Sequence, residues 1–84
     1  MNKKDIKSFN NKGEPHGYWE IYHRNGNLCY KGNWKHGKQD GLWEWCYDNG
    51  ELGYKGNYKD SKQDGYWEWY WIDGELREIE YWIN

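Results

Sequence analysis

Valine and alanine are missing from this 84-residue chain, and leucine, isoleucine and phenylalanine together number ten. So few aliphatic side chains cannot build an ordinary core, and depletion of this kind usually accompanies disorder. No apolar run approaches the ~18 residues that a membrane-spanning helix needs, and no apolar segment follows the first lysines as in a secretory leader. Membrane attachment is therefore not expected. Two cysteines are too few for a disulfide scaffold, which together with the missing leader predicts a cytoplasmic, reducing setting. A basic excess is also lacking: 12 Lys and Arg stand against 14 Asp and Glu, for a net charge of −2. That balance argues against a nucleic-acid binder, which would need a positive surface. What the chain does hold is aromatic residues, eight Trp and nine Tyr among them. Each can bury on the order of 150–250 Å². Aromatics must supply the core.

The chain repeats itself. Residues 17–40 set above residues 41–64 agree at about fourteen of roughly 24 positions, far beyond coincidence. Gly17, Trp19, Glu20, Asn25, Gly26, Leu28, Tyr30, Lys31, Gly32, Asn33, Lys35, Lys38, Gln39 and Asp40 all recur. A third unit, residues 65–84, keeps Trp67, Glu68, Gly74 and Leu76 in step, and residues 1–16 read as a degenerate half-unit or cap. The whole is one domain, burying about 60% of its unfolded surface.

Asn25-Gly26, Asn49-Gly50 and Asp73-Gly74 are dipeptides of two-residue type I′ hairpin turns, and aromatic-rich segments flank them. A second punctuation, residues 37–41 and 61–65, joins one hairpin to the next. The expected fold is all-β: a single elongated, twisted antiparallel sheet of stacked hairpins with a period of about 24 residues. Such turns pair Trp19 with Gly32, Glu20 with Lys31, Trp43 with Gly56 and Glu44 with Lys55, each indole opposite bare backbone. In the third hairpin Trp67 meets Glu80 and Glu68 meets Ile79. Strand alternation then sorts the side chains by face. One face carries Trp19, Trp34, Trp43, Trp45, Tyr54, Tyr58, Trp67, Trp69, Trp71 and Trp82, with Ile21, Tyr30 and Tyr47. The other carries Glu20, Glu44, Glu68, Lys31, Lys55 and Arg77, with scattered Tyr18, Leu42 and Tyr66.

The unit G-x-W-E-x-Y-x-x-N-G-x-L-x-Y-K-G-N-W-K-x-G-K-x-D resembles the MORN repeat, more closely its bacterial variant. The likeness runs over residues 17–84 and departs at Ser61, where a loop glycine is expected, and beyond Leu76. It implies an antiparallel sheet of stacked hairpins. Bacterial members are often named as antitoxins or immunity partners, and eukaryotic arrays act as protein-binding or membrane-associated scaffolds. A more distant likeness, through W-x-Y-x-x-x-G-x-L, is to choline-binding repeats.

The candidate chemistry is thin. Glu20, Glu44 and Glu68 form a carboxylate column, but two of them face lysines, which favours a solvated charge ladder over acid–base work. His16, His23, His36, Cys29 and Cys46 lack metal-ligand spacing, and His23 is placed on the aromatic face, away from the cysteines. No nucleophile has a base, so no enzyme, cofactor or metal is expected. The expected function is a small interaction protein, an antitoxin, immunity or virus-encoded inhibitor that binds a protein partner and blocks it sterically. The aromatic residues listed above would anchor the contact, because Trp and Tyr bury much area at little entropic cost. A carbohydrate- or choline-binding module and a self-associating scaffold are the alternatives. A homodimer or tight complex burying part of Trp43, Trp45, Trp67 and Trp69 is expected, because the face is too large for residues 1–16 to cover. Where the first two hairpins join with the aromatic face continuing, the register sets Gly32 against Trp43, Tyr30 against Trp45 and hence Cys29 opposite Cys46 on the charged face, as free neighbouring thiols.

Overall fold

A computed structural model describes residues 4–83. Six strands follow one another in chain order: β1 (Gly17–Tyr22), β2 (Leu28–Lys35), β3 (Lys38–Cys46), β4 (Leu52–Lys59), β5 (Lys62–Tyr70) and β6 (Leu76–Trp82). Each pairs antiparallel with the next to form one open sheet of spatial order β1-β2-β3-β4-β5-β6, and no helix occurs among the described residues. The fold class read from the repeat is the one observed. Its Cα extents are 41 × 41 × 10 Å, a plate one layer thick.

Within the hairpins the expected pairs form: Trp19↔Gly32, Glu20↔Lys31, Trp43↔Gly56, Glu44↔Lys55, Trp67↔Glu80 and Glu68↔Ile79. The turns themselves differ from expectation. At the Asn-Gly sites only the glycine has positive φ (93° at Gly26), and the Gly26 N–H donates to the His23 carbonyl while His23 N–H donates to Asn27. That is a three-residue loop, a type I turn closed by a left-handed glycine, rather than the two-residue type I′ turn. The chain recovers its register one step later with a bulge, so that Cys29, Gly53 and Arg77 are extra residues in their strands. The type I′ turns lie on the opposite side of the sheet. There His36 and Gly37 (φ 50° and 79°) and Asp60 and Ser61 (φ 52° and 65°) link Lys35 to Lys38 and Lys59 to Lys62. Ser61 occupies the left-handed position that Gly37 fills in the preceding unit, and its hydroxyl accepts the Gln39 N–H at 2.9 Å.

Residues 6–16 extend the sheet past β1 rather than folding over a face. Ile6 and Glu20 exchange backbone hydrogen bonds of 2.7 and 2.9 Å, His16 N–H donates to Ser8, and Phe9 pairs with Pro15. Phe9 meets Trp19 edge-on at 5.3 Å, much as Trp34 meets Trp43 at 5.1 Å and Tyr58 meets Trp67 at 4.9 Å.

Candidate interaction surface

The packing of the aromatic face starts from two glycines. A Cβ at Gly32 would sit 2.2 Å from Trp43 Cδ2, and one at Gly56 would sit 2.2 Å from Trp67 Cδ2. Each indole therefore lies flat on bare backbone, which only glycine permits. The covering indole comes from the following unit, as the expected pairing of Gly32 with Trp43 across the hairpin junction implies, and not from the partner within the hairpin. Each N–H is then satisfied along the neighbouring strand: Trp43 Nε1 donates to Asn33 O and Trp67 Nε1 to Asn57 O, both at 3.0 Å. Tyr30 and Trp34 close over Trp43, and Tyr54 and Tyr58 over Trp67, through ring contacts of 4.9–5.8 Å. As a result Trp43 is 4% and Trp67 1% exposed within a single layer. These two were expected at a partner interface. The chain buries them by itself, so they offer no surface.

The remaining expected contact residues divide by position. Trp19, Trp34, Trp45, Tyr54, Tyr58 and Trp69 are half-buried, joined by contacts such as the Trp45–Tyr54 stack at 5.8 Å. Trp71 and Trp82 are exposed, 51% and 41%. Trp71 carries the Arg77 guanidinium over its ring at 4.8 Å, and Trp82 lines a shallow cleft of about 500 Å³ with Tyr58, Lys62 and Gln63. A smaller recess of about 180 Å³ lies between Trp34, Gln39, Trp45 and Tyr54. Burial pushes the Tyr54 and Tyr58 phenols above their ordinary range, a hydrogen bond with Gln39 opposing the shift at Tyr58.

The second face is less polar than its charges suggested. Glu20 accepts hydrogen bonds from the Tyr18 and Tyr22 hydroxyls, and Glu68 accepts from Tyr70 while lying 3.7 Å from Lys55 Nζ. Burial, and then the bond to Glu20, pushes the Tyr18 phenol up to about 12. Exposed Tyr18, Leu42 and Tyr66 recur one unit apart, and the Tyr66 ring meets Tyr81 at 4.7 Å. This apolar row is a 24-residue recurrence in the sequence, interleaved with the charges.

The cysteines correct the assignment of faces. The bulge turns Cys29 toward Trp45, to whose side chain it is hydrogen-bonded, while Cys46 alternates with Trp45 and is buried on the other face. Both thiols are free and pushed up mainly by burial. His23 Nε2 lies 2.9 Å from the backbone carbonyl oxygen of Cys46. Among the described residues no group of three or more His, Cys, Asp or Glu is placed to hold a metal ion.

Two stretches of the chain, residues 15–36 and 39–60, match the family described as the MORN repeat variant, together just over half of its length. No curated protein and no solved structure matches the chain.

Proposed function

The chain belongs to the MORN repeat family in its variant form, and on that premise we propose that it is a non-catalytic module that binds a protein partner and blocks it sterically, in the manner of a small antitoxin, immunity protein or inhibitor. MORN repeats are commonly protein- or membrane-binding modules and are generally non-catalytic. The observation that carries the protein-binding reading is the single layer. A plate 10 Å thick has no second layer over either face, and it leaves Trp71, Trp82, Tyr66, Ile79 and Tyr81 exposed in its last hairpin. Exposed aromatics on a rigid sheet are preorganised anchors, and their burial by a partner removes apolar area from water. The even charge offers no comparable support for a nucleic acid or an anionic membrane.

The test is affinity capture from the native host with the wild-type chain and Trp71→Ser side by side, both checked for folding. A protein retained by the wild type and reduced at least about tenfold by the variant supports the reading. Equal retention by both removes Trp71 from the contact. A glycan or choline that shields tryptophan fluorescence, with no protein retained, would favour the carbohydrate- or choline-binding alternative, and concentration-dependent self-association alone would favour the scaffold.

A further inference from the structure

Strand β6 reverses the polarity of the strands it imitates. On the aromatic face, Glu78 stands where β4 has Tyr54, and Glu80 where it has Gly56. On the opposite face Ile79 replaces Lys55 and Tyr81 replaces Asn57, both with more than half their surface exposed. Among the described residues nothing pairs with the outer edge of β6, whereas the outer edge of β1 is engaged by Ile6. An open edge of this length presents a row of backbone donors and acceptors that another strand can complete.

Two arrangements of a second copy of this chain at this edge are disfavoured. Stacking a further unit in register requires a glycine at position 80, because the indole of the incoming unit occupies the space a Cβ would take, as at Gly32 and Gly56. Glu80 fills that space and uses its carboxylate to accept the Trp69 indole N–H at 2.7 Å. Pairing β6 antiparallel with itself about Ile79 would set Glu78 directly against Glu80 of the second copy, and like charges so opposed are destabilising. The charged groups on the aromatic face of this edge are Glu78, Glu80 and Arg77, and Arg77 is drawn toward Trp71 while lying 3.7 Å from Glu78. The edge is thus acidic on one side and apolar on the other.

From this we propose that the outer edge of β6 is a docking site for an extended segment of a protein partner in which basic and apolar residues alternate. The proposal rests on the protein-binding reading and names the partner's chemistry. Backbone hydrogen bonds add the segment as a seventh strand. Its lysines or arginines face Glu78 and Glu80, and its apolar side chains lie beside Ile79 and Tyr81.

The test is titration of the full ¹⁵N-labelled chain with two capped seven-residue peptides, one alternating Lys and Val, the other Glu and Val. The Lys-Val peptide should move the amides of residues 76–82, bind at least about tenfold more tightly than Glu-Val, and weaken as salt rises. Glu78→Lys leaves the Glu80–Trp69 bond in place and should reverse the preference. Glu78→Gln, a milder change, should shrink it. Undisturbed β6 amides, equal response to both peptides, or shifts confined to the aromatic face would overturn the proposal. A chain that captures a host protein through Trp71 yet ignores both peptides overturns the edge proposal alone.

Discussion

Asn25 and Asn49 occupy the same place in their turns as Asp73, and all three accept the backbone N–H two residues on at 2.9–3.0 Å. The difference lies in the other half of the side chain. The amide of Asn25 donates to Asp48 O and that of Asn49 to Ile72 O, each reaching the next unit. Past Asp73 no further unit is present among the described residues, and the side chain there has no donor to offer. The same contrast recurs along the sheet. Tyr47 donates its hydroxyl to Tyr70 O, whereas Trp71 at the equivalent place turns to Arg77. Gly32 and Gly56 admit an indole, whereas Glu80 closes the slot. The first two units are specified by what the next unit must receive, and the third departs from them at each of these places.

If that contrast is right, the largest effect follows from removing an interior indole. Trp67→Ala should cost about 3–5 kcal/mol in urea unfolding, enough to threaten a domain this small, while Trp71→Ala should cost less than about 1 kcal/mol. Similar losses at both would break the distinction between interior and edge. Next comes the glycine slot. Gly56→Ala places a methyl group 2.2 Å from the Trp67 ring and should cost about 2–3 kcal/mol. Glu80→Ala, which loses only the bond from Trp69, should cost about 1 kcal/mol. Asn49→Asp keeps the turn and deletes the donor to Ile72, a loss of about 1 kcal/mol, whereas Asp73→Asn should stay within about 0.5 kcal/mol.

Alkaline titration is a further and gentler probe. The phenols of Tyr18, Tyr54 and Tyr58 are raised in the folded chain, Tyr18 to about 12. Above pH ~10 the unfolded chain loses these protons first and so binds fewer of them, and stability must fall as pH rises toward 12. Urea midpoints measured from pH 9 to 11.5 should decline through this window. A midpoint that holds or rises would contradict the partial burial of Tyr54 and Tyr58 and the bond from Tyr18 to Glu20.

Much of the sheet could be read from the 24-residue recurrence, because hairpin pairing follows once the turn sites and the opposed charges are found. The turn geometry could not. Asn-Gly suits both a two-residue and a three-residue loop, and the bulges at Cys29, Gly53 and Arg77 restore the register so that most pairs come out alike under either. Cys29 shows the consequence, because a bulged residue escapes the alternation by which faces are assigned. The pairing of Gly32 with Trp43 pointed to the glycine slot but not to the near-complete burial of Trp43 and Trp67, which the closing rings of Tyr30, Trp34, Tyr54 and Tyr58 supply. Along β6 the reversed alternation of Glu78, Ile79, Glu80 and Tyr81 stands openly in the sequence. It takes its meaning from Glu80, which stands in the place of an indole-bearing glycine.

The central claim is that a single layer buries its own indoles at two interior sites and leaves those at its margin open for contact. Hydroxyl-radical footprinting of the free, dilute chain, read tryptophan by tryptophan, addresses this most directly. Trp43 and Trp67 should be the slowest to oxidise, Trp71 and Trp82 the fastest, and Trp45 and Trp69 intermediate, in keeping with their exposure. Oxidation of Trp43 or Trp67 as rapid as that of Trp71 would show that the isolated sheet does not bury them, and the account would fail.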